Sequence, residues 1–359
     1  LKTDGTVATR STGLRSAVAF TTDASSSFRA ETPIVITRQD IAVEQSQVDV
    51  RGRTRLRRVR TDYDGWPLIG SLVNSIAENR YQALAPRANR IANRTIRDRI
   101  SSEIDDELDT RVDDATTKLS QLVLGPLGRL ELDPMVMDMQ TTEQRLLARF
   151  RVAGDWQMAA NTPRPRAPST SLMSVQMHQS ALNNTLEQLV PKGERLTIRE
   201  FVHRAGEILG QQEVPIPDDI PENVSIQFSR TRPVTIEIRE NRVWITLRVV
   251  RLKRDEMLDL TQFIVRACYR PQVNGMKASL VRDGHLRISG PRMSMRERLP
   301  ARTIFNKVFS SNREIPITVP ALLEHPAVEG LAISQLELRS GWIGRAVSEE
   351  DAPRIALAP

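Results

Sequence analysis

Val243-Trp244-Ile245-Thr246-Leu247-Arg248-Val249 places a branched apolar side chain at every second position, the period of a β-strand that buries one face. The same period holds on both sides of it. Val224, Ile226 and Phe228 come before, then Val234, Ile236 and Ile238. Phe263, Val265, Ala267 and Tyr269 follow, then Met276, Ala278 and Leu280, and then Leu286 and Ile288. Asn274-Gly275 and Asp283-Gly284 are turn dipeptides that tolerate positive φ. The stretch is therefore an antiparallel meander with one buried face. The core residues expected from it are Ile236, Ile245, Leu247 and Val265.

Upstream, Leu172–Met177 is a short strand and Ser180–Val190 a helix ending at Pro191 and Gly193. A second helix opens on a capping box, Thr197 with Glu200, carries Phe201, Val202, Ala205, Ile208 and Leu209 on one face, and closes at Gly210. Pro215, Pro217 and Pro221 lead into the meander. Downstream, Pro300 fits the first position of a helix carrying Ile304, Phe305, Val308 and Phe309, and one last strand lies within Leu331–Val347.

The first half is organised differently. From Ala17 to Asp62 the pattern is extended, with Phe28, Ala30, Thr32, Ile34 and Ile36 alternating, then Ile41 and Val43, then Val48, Val50 and Leu56. Pro33 places the first of these at a sheet edge. Arg51, Arg53, Arg55, Arg57, Arg58 and Arg60 load the last one. From Trp66 to Val123 the apolar period becomes helical, and Pro86 divides the segment into two helices, the second of about 55 Å at 1.5 Å per residue. Gly125-Pro126 and Gly128 stop it. Strand pattern returns over Met135–Met158. Three prolines in Thr162-Pro-Arg-Pro-Arg-Ala-Pro-Ser169 mark a linker. The expected domains are 1–161 with a helical segment at 66–123, a linker at 162–171, a helical pair plus meander at 172–347, and a tail at 348–359. The fold class is α+β: two modules of long curved antiparallel β-sheet packed on helices, with one long α-helix.

Chemistry is sparse. The chain is 359 residues long, 40% hydrophobic and 4% aromatic, so its cores are aliphatic and few rings are free for stacking. Lys plus Arg number 51 against 44 Asp plus Glu, and 45 of the 51 are Arg, whose planar fork suits carboxylates, phosphates and lipid headgroups. One cysteine, Cys268, excludes a disulfide framework. His178, His203, His285 and His325 stand in no metal-ligand spacing, and neither a nucleophile elbow nor a phosphate-cradling Gly-rich loop is present. No enzyme activity, cofactor or metal is expected. Nucleic acid is disfavoured because no rings interleave the Arg cluster and no finger or helix-turn-helix signature supports it.

The helix after Pro86 carries Arg87, Arg90, Arg94, Arg97 and Arg99 in its first half and Glu103, Asp105, Asp106, Glu107, Asp109, Asp113 and Asp114 in its second. That order opposes its own dipole. Arg87, Arg90, Arg94, Arg97, Glu103, Asp106, Asp109 and Asp113 are therefore the candidate interface, pairing with another segment or another copy laid alongside.

The short strand from Met173 running into Ser180, Asn183, Asn184 and Leu186 on an amphipathic helix, with long alternating strands after it, loosely resembles the tubular lipid-binding superfamily. Its modules wrap a long helix in a curved antiparallel sheet around an apolar tunnel. His178-Gln179-Ser180 and Gly341-Trp342-Ile343 also resemble uncharacterised secreted or envelope-associated bacterial proteins. The resemblance implies a non-enzymatic protein of the bacterial envelope, periplasmic or secreted. It would bind a lipid or other anionic amphiphile in a groove between sheet and helices, with a membrane surface as a further partner. The alternative is a structural subunit, homo-oligomeric, of a ring, pore rim or layer. The chain begins with Leu1, which leaves room for an upstream signal or anchor.

Overall fold

The computed structural model describes residues 1–15, 18–37, 41–61, 69–132, 134–209, 223–291, 293–318, 323 and 326–351. The chain parts into two compact units, Leu1–Lys118 and Leu119–Pro359. Both are mixed α+β and built on antiparallel sheets, as the alternation predicts.

In the first unit, β1 (Lys2–Arg15), β2 (Val18–Glu31), a small hairpin of β3 (Ile34–Ile36) and β4 (Ile41–Val43), and β5 (Gln47–Thr61) precede one helix, α1 (Ile69–Leu119). The long strands pair in the order β1-β2-β5. Inward positions of β2 and β5 bury Ala30, Val48 and Val50, with Phe28 beside them, under Ile96, Ile100 and Ile104 of α1. At one end of this seam Tyr81 stacks on Phe20, ring centroids 5.9 Å apart. At the other, Asp105 Oδ1 accepts from the Ser46 amide at 3.0 Å and the Ser101 hydroxyl donates to the Ser46 carbonyl at 3.0 Å. The helix therefore runs antiparallel to β5. Midway, a side chain at Gly52 would collide with Ser26 and Asn93, and the missing Cβ lets strand and helix close up.

In the second unit a π-helical turn over 120–124 and α2 (Gly125–Arg129) lead to the hairpin β6 (Met135–Thr141) and β7 (Leu146–Arg151). Then come β8 (Met173–His178), α3 (Gln179–Leu189), β9 (Arg195–Thr197) and α4 (Ile198–Ile208). The meander is β10 (Val224–Phe228), β11 (Val234–Arg239), β12 (Arg242–Arg254), β13 (Leu258–Asn274), β14 (Lys277–Arg282) and β15 (Arg287–Ser289). After it stand α5 (Met295–Val308), β16 (Ile315–Pro316), β17 (Leu331–Arg339) and β18 (Trp342–Glu349). The large sheet runs β16-β14-β13-β12-β10-β9, with β11 continuing along β12 and β15 along β13; a second sheet runs β17-β18-β8. The register of β10 on β12 passes over Val250 while Gln262 takes φ 51°, a bulge that bends the long strands and helps the sheet curl. Its inner face buries Val224, Val243, Leu252, Val265 and Tyr269 against Ala301, Ile304 and Phe305 of α5. Leu247 is buried as expected, and Ile236 and Ile245 are half-buried against the same core.

Several expectations need correcting. Pro86 does not divide the helix: α1 is continuous for 51 residues, because Gln82, whose carbonyl loses its amide donor, and Pro86 both face solvent, where water replaces the lost bond. Helical turns also continue through Gly125-Pro126 to Arg129, with Pro126 at the start of the new helix, where no amide is needed. The strand ahead of Pro33 is central, since β2 ends at Glu31 before the proline. β1 carries no hydrophobic alternation and was not expected. α5 starts at Met295, upstream of Pro300, because Ser294 and Glu297 close a capping box. The last strand is a two-strand hairpin turned at Ser340-Gly341, where both residues hold positive φ.

The division between units falls at Lys118/Leu119 and not at the proline-rich segment. That segment is fastened instead: the Thr162 hydroxyl donates to the Ser340 carbonyl at 2.7 Å, Gln335 Nε2 donates to the Arg166 carbonyl, and Arg145 donates to the Pro168 and Ser169 carbonyls. The Thr197–Glu200 capping box is formed. Gly210 and Pro215–Pro221 lie outside the described residues.

Candidate functional site: an arginine face on the first unit

Alternation along β5 sends Val48, Val50, Gly52, Thr54 and Leu56 inward and Arg51, Arg53 and Arg55 outward. A bulge opposite Thr21/Thr22 inserts Arg57, so Arg57 and Arg58 are both exposed. The outward partners of two of them on β2 and β1 are small, since Arg51 pairs in register with Ser27 and then Thr6 and Arg53 with Ser25 and then Ala8, while Arg55 faces Asp23 and then Arg10. Basic forks thus stand along one edge of a floor of hydroxyl and methyl groups. The centre of this face is a depression of about 910 Å³ lined by Thr6, Ala8, Ser25, Arg51, Arg53 and Arg55 among others.

Charge along the face is uneven. Toward the end where β2 finishes and β5 begins, bases meet acids: Lys2 with Glu31 at 3.3 Å, Arg29 with Asp4 at 2.9 Å and Arg51 with Asp49 at 3.3 Å. Farther along, one carboxylate serves two cations, since Asp23 takes Arg10 at 2.7 Å and Arg57 at 3.2 Å. The Arg10 hydrogen bond holds the Asp23 carboxyl below its ordinary range. Arg53, Arg55 and Arg58 have no carboxylate within ion-pair distance among the described residues. An oxyanion entering here meets several guanidinium forks, with Asp23, opposite Arg55 and already engaged by Arg10 and Arg57, as the carboxylate of the same depression.

On α1, Arg87, Arg90, Arg94 and Arg97 are all exposed, and their i, i+3, i+7, i+10 spacing puts them on one face. None of the four is ion-paired among the described residues. The acidic half is dispersed: Glu103 pairs with Arg99 at 3.3 Å, Asp106 accepts from Ser102 at 3.4 Å, and Asp109 and Asp113 are exposed. Arg97 and Asp106 line one depression, beside Ser46, Ser101 and Asp105.

The second unit displays apolar strands. Met135, Met137, Leu146 and Phe150 of the β6–β7 hairpin and Met173, Val175 and Met177 of β8 are 43–59% exposed, and Trp156 and Met158 more so. The two segments of resemblance meet beside them. Trp342 pairs in register with His178, and the Gln179 amide donates to the Gly341 carbonyl at 2.7 Å. His178 caps α3 by accepting from the Ser180 amide at its Nδ1, so its proton sits on Nε2, 3.2 Å from the Thr162 hydroxyl. Burial pushes its pKa down. This node is structural: it ties α3, β18 and the proline-rich segment together. Gln179 and Asn183 bond the edge of β11, where Asn183 both accepts from and donates to Ile236. Cys268 is buried, which pushes its thiol pKa up and keeps it unreactive. Among the described residues no cluster of three metal-ligating side chains occurs, and no helix is long and apolar enough to cross a membrane.

No family model and no curated protein matches the chain. Among solved structures, a crystal structure of a lipopolysaccharide binding protein is similar over 93% of this chain and 77% of that one, with a TM-score of 0.36 and 10% identity. So slight a likeness carries no inference about the ligand.

Proposed function

We propose that the protein is a non-enzymatic binding protein for anionic amphiphiles, acting in a bacterial envelope, periplasmic or secreted. The observation that carries this reading is the run of unpaired Arg53, Arg55 and Arg58 over a floor of small side chains on the outer face of β1-β2-β5. Guanidinium forks of this kind take phosphate or carboxylate headgroups bidentately. The exposed apolar strands of the second unit favour an amphiphile over a purely ionic partner. In flotation with vesicles, the protein should rise with phosphatidylglycerol and stay behind with phosphatidylcholine. Equal recovery with both, or with neither, would contradict the reading.

A second reading, a subunit of an envelope assembly, is favoured by the unpaired face of Arg87, Arg90, Arg94 and Arg97. If these pair with another copy, Arg90→Glu with Arg94→Glu should lower the sedimentation coefficient, and added salt should do the same to the wild type. A salt-insensitive coefficient shared by both proteins would remove it.

A further inference from the structure

On the outer face of the meander, Trp244 is surrounded by three guanidinium groups, with Arg266, Arg287 and Arg239 at 4.5, 5.2 and 5.9 Å from its ring centroid. Three separate strands deliver them, β13, β15 and β11, while β12 supplies the ring. One carboxylate serves this group: Glu237 bridges Arg266 at 2.5 Å and Arg239 at 3.2 Å. Nearby Arg242 is occupied by Asp283 at 3.3 Å. Arg287 is exposed and has neither ion pair nor hydrogen bond among the described residues. It is also the direct register partner of Arg266, and like charges opposite each other across an antiparallel pair repel. The Nε–H of Arg266 is buried without an acceptor. Cationic side chains are thus held close together, preorganised on an aromatic surface, and under-neutralised.

We infer that Trp244, Arg239, Arg266 and Arg287 form a binding site for a phosphate-class oxyanion, separate from the arginine face of the first unit. An oxyanion with two or more charged oxygens bridges Arg287 and Arg266 and removes their mutual repulsion. The Trp ring holds the forks in place, so little side-chain entropy is lost on binding. The class is set by chemistry: a planar two-donor fork fits the oxygens of a phosphoryl group, and a second fork engages the remaining ones.

Calorimetric titration of the full chain with inorganic pyrophosphate tests this directly. The wild type should give saturable binding. Arg287→Gln, which alters an exposed side chain, should weaken it about tenfold, as loss of one charge-assisted contact does. Arg239→Gln should act in the same direction, and in Arg53→Ser/Arg55→Ser/Arg58→Ser, which empties the arginine face of the first unit, the roughly tenfold loss on adding Arg287→Gln should persist. A parallel titration with phosphatidic acid vesicles identifies the source of the phosphate. A loss in Arg287→Gln on both probes marks a lipid headgroup; a loss on pyrophosphate alone marks a soluble phosphate. Absence of pyrophosphate binding in the wild type, or wild-type binding by both Arg287→Gln and Arg239→Gln, would overturn the site. A loss seen only in the triple variant would assign the binding to the first unit instead.

Discussion

The two units both lay helices on antiparallel strands, but they spend their inward positions differently. In the first, the buried apolar core under α1 is Ala30, Val48 and Val50, and the neighbouring inward positions are Ser26, Thr32 and Ser46, with Thr32 and Ser46 sharing a 2.5 Å hydrogen bond. In the second, large side chains such as Leu252, Tyr269, Ile304, Phe305 and Leu338 are almost completely enclosed. The contrast separates a thin sheet whose chemistry faces outward from a thick scaffold whose stability comes from within.

Core truncation should expose that contrast most strongly. Leu252→Ala, at a fully enclosed site, should lose about 2 to 5 kcal/mol in urea unfolding. Ile100→Ala, on the half-buried seam of the first unit, should lose about 1 kcal/mol because much of its surface already meets water. Equal losses would mean the first core is deeper than its burial indicates. Next in size is Gly341→Ala. A Cβ there lies 2.6 Å from His178 Nε2, and φ is +88°, so roughly 1 to 3 kcal/mol of strain should appear as a lower melting temperature. Melting at the wild-type temperature would show that the His178–Trp342 node has slack.

Acid should act on the same node. The folded-state pKa of His178 is depressed by burial, so the unfolded chain binds the proton more readily. Stability is then full above the unfolded value of about 6.5 and falls as pH drops from there toward the lower folded value. His178→Asn should flatten that part of a stability–pH curve, and an unchanged slope would clear His178 of the effect. Asp23→Asn belongs at the small end for stability, because its partners are exposed and screened. For binding it should do the opposite of damage: freeing Arg10 and Arg57 should tighten attachment to phosphatidylglycerol vesicles. Weaker attachment would mean that Asp23 positions those arginines for the ligand.

Legibility followed the same divide. The meander could be read from Val224 to Ile288 because one face packs on a deep core, and burial repeats at every second residue of β10. β1 could not be read, since its inward residues are Thr3, Gly5 and Val7; Gly5 lies under the Phe28 ring, which covers it in place of a side chain of its own. Pro86 and Pro300 misled for one reason: a proline tells which amide is missing, not whether water or a cap upstream makes up for it. The Arg cluster of β5 was visible as a cluster. Its gathering on one face follows from strand alternation, but the bulge at Arg57 and the single shared Asp23 depend on strand pairing. The Trp244 group was hidden because its members stand on four strands spread over residues 239 to 287.

The central claim is that the outer face of β1-β2-β5 holds anionic headgroups, and a variant that removes three of its unpaired forks tests it most directly. Arg53→Ser/Arg55→Ser/Arg58→Ser changes only exposed side chains, and serine already stands at neighbouring outward positions of β2. Binding to phosphatidylglycerol vesicles should fall at least tenfold at low salt and lose most of its salt dependence, while unfolding in urea stays as in the wild type. Wild-type vesicle affinity with an unchanged salt response in the triple variant would contradict the account.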